Sequence, residues 1–359
     1  MRHCNNAILA LLVAAATVSS PAQKSPSQPN PQSVAPQPPS LTVDRDPVRA
    51  PAGTGPTLPQ STVEKEHGGY VLRTQTEEVS LNCTVLDAQG RLVQSLSQND
   101  FQVLEDGVKQ AIISFQHADV PVSIGLVIDN SGSMSRKRPA VNKSALDLIE
   151  ASNPQDEAFV VNFSDEAFID QDFTSSVNKL RDGLSHVESR GGTALYDAVV
   201  ASADKLAADA HRAKQVLIII TDGEDNASTL NLEQTIRRVQ ALSGPEIYSI
   251  GLLFGDEMSR AEMRHAHRAL EMLSTETGGI AFFPRSMEQV DEIAAEVARD
   301  IRSQYTIGYH STKPSSEPGF RRVEVDAEQN GHKLNVRTRT GYFPSPERTR
   351  PANRAANTR

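Results

Sequence analysis

The chain has 359 residues, 38% of them hydrophobic, and a formal net charge of -9 at pH 7. That length exceeds one ordinary domain and predicts two folded units once polar flanks are set aside. The acidic balance excludes nucleic acid as the main partner, because phosphate binding needs a basic face.

Residues 1–22 read as a secretory signal. A charged start, Met1-Arg2-His3, precedes an apolar stretch from Ala7 to Val18 and the small residues Ser20 and Ala22, with cleavage expected after Ala22. The apolar stretch is shorter than the ~20 residues a spanning helix needs, so no transmembrane segment is expected after cleavage. Cys4 does not sit in a lipoprotein-type cleavage pattern. The protein is therefore expected to be exported, whether periplasmic, cell-surface or secreted. From 23 to 62, proline recurs between Pro26 and Pro59 among small polar residues. Such a stretch stays extended at about 3 Å per residue and acts as a tether.

Period-two alternation begins near Glu77, and residues 70–118 are expected to form the first part of a β-sandwich. Val79, Leu81, Cys83 and Val85 alternate with polar neighbours, and Phe101 to Gly107 is a strand running into an Asp-Gly hairpin. Val108 to Phe115 is the predicted return strand. Signal removal leaves Cys83 as the one cysteine, so no internal disulfide is available and its place in the alternation makes it a small buried side chain.

Residues 120–302 alternate apolar strands with amphipathic helices. Strands are predicted at Val122–Asp129, Glu157–Phe163, Ala167–Asp172, Gln215–Thr221, Ile247–Leu253 and Ile280–Phe283. Helices are predicted near Arg138–Glu150, Val177–Val187, Ala194–Ala207, Leu232–Leu242, Ser259–Thr275 and Met287–Ser303. Strands this apolar call for a mostly parallel, doubly wound α/β sheet covered on both faces. Period-two alternation returns over 303–343, at Tyr305–Tyr309, Arg322–Asp326 and Leu334–Thr338. About seven strands, four before and three after, are expected to close an immunoglobulin-like sandwich with the α/β unit inserted in it. Residues 344–359 carry Arg348, Arg350, Arg354 and Arg359 with prolines, and are expected to be a solvated basic tail.

The chemistry-bearing residues lie at the ends of the apolar strands. Asp129-Asn130-Ser131-Gly132-Ser133 follows the first, Gly191-Gly192-Thr193 supplies a further hydroxyl, and Thr221-Asp222-Gly223 places a second carboxylate. Asp129, Ser131, Ser133, Thr193 and Asp222 together offer hard oxygen donors suited to Mg²⁺, or to Mn²⁺ or Ca²⁺. Helix capping by Asp129 and Ser133 is the plainer reading, and it leaves Thr193 and Asp222 without a role. Two carboxylates ~6 Å apart would repel by roughly 3 kcal/mol at an effective dielectric near 20, so bound metal should stabilise the fold.

In this order the D-x-S-x-S, G-G-T and T-D-G elements resemble the metal-ion-dependent adhesion site of the von Willebrand factor type A domain. The stretch from about Glu77 to Phe343 also resembles a bacterial family of exported von Willebrand A-related proteins, on F-x-V-x-E-D-G, Y-T-I-G-Y and Gly341-Tyr342-Phe343. The helix near Asp256 to Thr275 is enlarged and charged relative to that family. The resemblance implies that Ser131, Ser133 and Thr193 touch the metal, that Asp129 and Asp222 act through water, and that an open position receives a carboxylate from a partner protein. It implies a binding module and not an enzyme.

The alternative is a metal-dependent hydrolase using the same ion to activate water. The sequence shows no G-x-S-x-G and no phosphate-binding G-x-x-x-x-G-K-[ST]. A calcium loop counted from Asp129 fails at Met134 and Ala140. His265 and His267 stand two apart on a predicted helix, pointing to different faces. The oligomeric state is left open.

Overall fold

The computed structural model describes residues 63–66, 69–72, 78–185, 189–242, 244–254 and 258–344. The expected signal, the proline-rich tether and the basic tail beyond Pro344 lie outside these residues. Strands β1 (Val63–Glu66) and β2 (Gly69–Leu72) pair as an antiparallel hairpin. Then come β3 (Glu78–Leu86), β4 (Phe101–Glu105), β5 (Val108–Gln110) and β6 (Ile112–Gln116).

The α/β unit follows with β7 (Val122–Asp129), α1 (Arg138–Glu150), β8 (Glu157–Phe163), β9 (Ala167–Thr174), α2 (Val177–Ser185) and α3 (Leu195–Asp209). It continues through β10 (Lys214–Thr221), α4 (Leu232–Ala241), β11 (Glu246–Gly251), α5 (Arg260–Thr277), β12 (Ala281–Phe282) and α6 (Val290–Arg302). The last strands are β13 (Tyr305–His310), β14 (Arg321–Gln329), β15 (His332–Arg337) and β16 (Gly341–Tyr342).

The α/β sheet runs β12-β11-β10-β7-β8-β9, parallel except for β9. Every residue of β7 and β8 is buried, as strands covered on both faces require. Alternation sorts their side chains between two cores. Ile124, Leu126 and Ile128 meet Val141, Leu148, Leu180 and Val297 of α1, α2 and α6. Val127, Phe159 and Leu217 meet Val199, Leu206, Ile236 and Leu270 of α3, α4 and α5. Each such aliphatic or aromatic side chain contributes about 1.5–3 kcal/mol on full burial. Two helix starts are set by capping boxes, Asn231 with Gln234 and Ser259 with Glu262.

The flanking strands do not form two facing sheets by hydrogen bonding. They make one eight-stranded antiparallel sheet, β5-β4-β14-β15-β3-β13-β6, with β16 beside β14. Two nine-residue strands cause this by changing partner along their length. β3 pairs β13 through Glu78 to Cys83 and β15 through Thr84 to Leu86. β14 pairs β16, then β4, then β15. The expected sandwich thus becomes a continuous, barrel-like sheet around Leu81, Val85, Val103, Tyr305, Ile307 and Tyr309. The expected single return strand is also split at Ala111, β5 pairing β4 while β6 crosses to β13. Since β6 and β13 are neighbours, the α/β unit leaves and re-enters this sheet at adjacent strands.

Candidate metal centre

In the α/β sheet the chain order reverses between β7 and β10: from β7 the sheet proceeds through β8 to β9 on one side, and β10 and β11 lie on the other. Loops at the carboxyl ends of such neighbouring strands splay apart and leave a crevice. Asp129 ends β7 and Asp222 follows β10, so both carboxylates stand at that crevice.

The β7 loop folds into a short 3₁₀ turn, Gly132–Arg136, anchored by fully buried Met134. The turn brings Ser131 Oγ to 3.1 Å from Ser133 Oγ, and Ser133 Oγ donates to Asp222 Oδ1 at 2.7 Å. The third segment is stitched to both others. Gly132 N donates to Gly191 O (3.3 Å) and Arg190 N to Asn130 O (2.9 Å). Thr193 N donates to Asn226 Oδ1 at 2.9 Å, and Gly192 N to Asp165 Oδ1 at 2.8 Å. Gly191 has φ +81°, and a Cβ there would stand 2.2 Å from an Asp165 oxygen, so this turn requires glycine.

All five sequence-predicted residues converge. Asp129, Ser131, Thr193 and Asp222 are buried, while Ser133 is exposed. Ser133, Thr193 and Asp222 line one cavity of about 240 Å³, together with Lys137, Leu252 and Phe254. Gly223 leaves the centre open: a Cβ there would lie 3.2 Å from Thr193 Oγ1 and 3.9 Å from Asp129 Oδ2. Thr193 Oγ1 and Asp129 Oδ2 thus flank the space that an added carbon would crowd, and hydroxyl and carboxylate oxygens are the donor types a hard divalent ion takes.

The electrostatics differ from simple carboxylate repulsion. Burial pushes Asp129 up to about 6 and the negative charge of Asp222 adds a small further rise, while bonds from Thr221 and Ser131 pull the other way. Thr221 Oγ1 donates to Asp129 Oδ2 at 2.5 Å, and Ser131 N to Oδ1 at 2.7 Å. Asp222 is held by Lys137, whose Nζ lies 2.5 Å from Oδ2. Behind the site, buried Arg138 donates to Asn162 Oδ1 (2.7 Å) and to the Asp129 carbonyl (3.4 Å); burial lowers it to about 10.

Lys137, Thr221, Arg138, Asp165 and Asn226 were not singled out by the sequence reading. Thr221 had a visible signal, since it opens the T-D-G element; Lys137, Asp165 and Asn226 act across 27 or more residues, and Arg138 reaches Asn162 across 24. The two α5 histidines have separate surroundings: His265 Nδ1 lies 3.0 Å from Glu224 Oε1, and His267 stacks on Phe283 at 3.7 Å.

A mostly parallel α/β sheet with an oxygen-donor crevice at its switch point is the class of fold and site seen here. Residues 124–224, within this α/β region, match the family model of the von Willebrand factor type A domain. A search of the curated proteins finds no match. Among solved structures, the chain is similar to a von Willebrand factor type A protein from Catenulispora acidiphila, at 16% identity and TM-score 0.43, over 74% of this chain and 73% of that one. It is also similar to the PilB minor pilin from Streptococcus sanguinis, at 15% identity and TM-score 0.41, over 52% of this chain; the match spans 63% of the pilin, less than two thirds of its length. Proximal thread matrix protein 1 from the mussel byssus, with a zinc-occupied MIDAS motif, is similar at 18% identity and TM-score 0.41, over 56% of this chain and 50% of that one.

Proposed function

We propose that this chain is an exported, divalent-metal-dependent protein-binding module of the adhesion type. Asp129, Ser131, Ser133, Thr193 and Asp222 would hold Mg²⁺, or Mn²⁺ or Ca²⁺ in its place, and the partner would be a protein presenting an acidic side chain. The observation that carries this reading is the meeting of three hydroxyls and two carboxylates, from three distant segments, at the switch point of the sheet. When bound, such an ion supplies an electrophilic position for an external carboxylate, because neutral hydroxyls offset little of its charge.

The chain's own residues hold the site ready. Thr221 and the Ser131 amide orient Asp129, Asn226 fixes the Thr193 backbone, and Ser133 stands where solvent and partner both reach. A hydrolase would need an uncommitted base beside the cation. The further carboxylates lining the cavity already have work: Glu224 faces His265, Asp225 accepts from Tyr196 N and Ser228 Oγ, and Glu262 caps α5. Binding is therefore preferred to turnover. Among the described residues no helix is long and apolar enough to cross a membrane; the export part of the proposal rests on residues 1–22 and the tether on 23–62.

The test is affinity capture of partners from the source cells' envelope fraction, with wild-type and Asp129→Ala protein, in Mg²⁺ and in chelator. A partner retained only by wild type in Mg²⁺ is expected. A partner held equally in chelator and by Asp129→Ala would refute the reading, and hydrolysis of generic ester or phosphate substrates would favour the enzyme.

A further inference from the structure

We propose that Lys137 is a built-in competitor of the divalent cation: its ammonium holds the charge of Asp222 until a divalent ion displaces it, and so sets how tightly the site binds metal. This rests on the metal-site reading above and adds to it the residue that tunes affinity.

The geometry is specific. Lys137 Nζ lies 2.5 Å from Asp222 Oδ2, with the Asp222 side chain 0% exposed and the Lys137 side chain 14%. Ser133 Oγ takes the other oxygen at 2.7 Å. Each Asp222 oxygen thereby holds one donor, and a cation approaching this carboxylate meets the like charge of the Lys137 ammonium. Ser133 is itself among the residues expected to touch metal, so Lys137 is the donor whose departure leaves the oxygen set intact. Its placement follows from the local chain. The 3₁₀ turn Gly132–Arg136 swings the backbone round, and Lys137 follows it directly at the N-cap of α1, on the same loop as both serines.

The displaced ammonium has somewhere to stay. Its Nζ stands 5.8 Å from the centre of the Phe254 ring, on the wall of the same cavity. A cation facing an aromatic ring at this range retains part of the attraction it gives up at a carboxylate. A monovalent charge is replaced by a divalent one at Asp222, and repulsion between the two cations costs binding free energy for as long as Lys137 remains near. Either neutral variant removes that cost and also leaves the Asp222 charge without its cation before metal arrives, so both effects tighten metal binding.

The experiment is isothermal titration of the full chain with Mg²⁺ and Mn²⁺, for wild type, Lys137→Met, Lys137→Gln and Lys137→Arg, alongside melting curves in chelator. Lys137→Met is expected to bind metal about tenfold more tightly, a change of about 1.4 kcal/mol. Its chelator melting temperature should fall while its metal-induced rise grows. Lys137→Arg should stay near wild type. Lys137→Gln, which keeps a donor for Asp222 without the charge, should tighten binding in the same direction and serves where the methionine variant does not fold. Metal binding by wild type that needs Asp129, with no tightening in either neutral variant, overturns this inference alone. Absence of binding by wild type and by both neutral variants removes the metal site itself, and this inference with it.

Discussion

Moving the pH from 4.5 to 7.5 in chelator should cost the folded protein stability through Asp129, and Mg²⁺ should restore it. The carboxyl is buried and raised to about 6, against an ordinary 3.8. A carboxylic acid with a raised folded pKa contributes no penalty below its unfolded value, where both states are protonated. As pH rises from there through the folded pKa the unfolded chain ionises first, and stability is lost until both states are ionised. About two pKa steps correspond to roughly 3 kcal/mol in all, of which about 1 is already lost at pH 4.5, so the change to pH 7.5 is roughly 2 kcal/mol and the melting temperature should fall by several degrees on that account.

A bound cation offsets the buried negative charge, so the gap between Mg²⁺ and chelator curves should be small near pH 4.5, widen through pH 6 and level off above 7. The assay is urea or thermal unfolding at half-unit pH steps, with Asp129→Asn measured in parallel. The amide keeps the shape, and Thr221 can turn its hydroxyl to suit it. Subtracting the variant removes the titration of all other groups. Parallel Mg²⁺ and chelator curves for wild type, or a chelator slope unchanged in Asp129→Asn, would refute the reasoning.

Gly223→Ala should weaken Mg²⁺ binding several-fold in titration calorimetry, because its Cβ would crowd Thr193 Oγ1 at 3.2 Å, while the chelator stability changes by no more than about 1 kcal/mol. Thr221→Val removes the donor to Asp129 Oδ2 and should cost about 1–3 kcal/mol in urea unfolding at neutral pH. Gly125→Ala would drive a Cβ to 2.5 Å from Leu217 and 2.6 Å from Phe159 in the middle of the sheet, and should cost about 1–3 kcal/mol by the same measurement. Asp300→Ala leaves Arg337 of β15 without the carboxylate it pairs with, and also strips Tyr248 and Thr84 of their acceptor. A loss of about 3 kcal/mol or more is expected in denaturant unfolding.

Much of the α/β unit was legible because its signals are local. The runs at Val122–Asp129 and Glu157–Phe163 are the strands found, and Arg138–Glu150 is the helix found. Burial on both faces demands unbroken apolar strands, and amphipathic helices between them leave few alternative arrangements. The five oxygen-bearing side chains were legible for a related reason: each is attached to the end of a strand or to a glycine-marked turn. Cys83 likewise followed from alternation, and it is fully buried, with burial pushing its thiol up to about 12.

Alternation shows that Val79 to Val85 and Arg322 to Asp326 are strands, but it carries no information about partners. Tertiary structure alone decided that β3 and β14 each serve more than one neighbour, turning an expected sandwich into one continuous sheet. It also decided the electrostatic state of the site. Lys137 reads in sequence as an ordinary residue at a helix start, yet it meets Asp222 across 85 positions. Periodicity and motif spacing record which face a residue presents and which atoms it offers. Which charge meets which is set only when segments far apart in the chain are packed side by side.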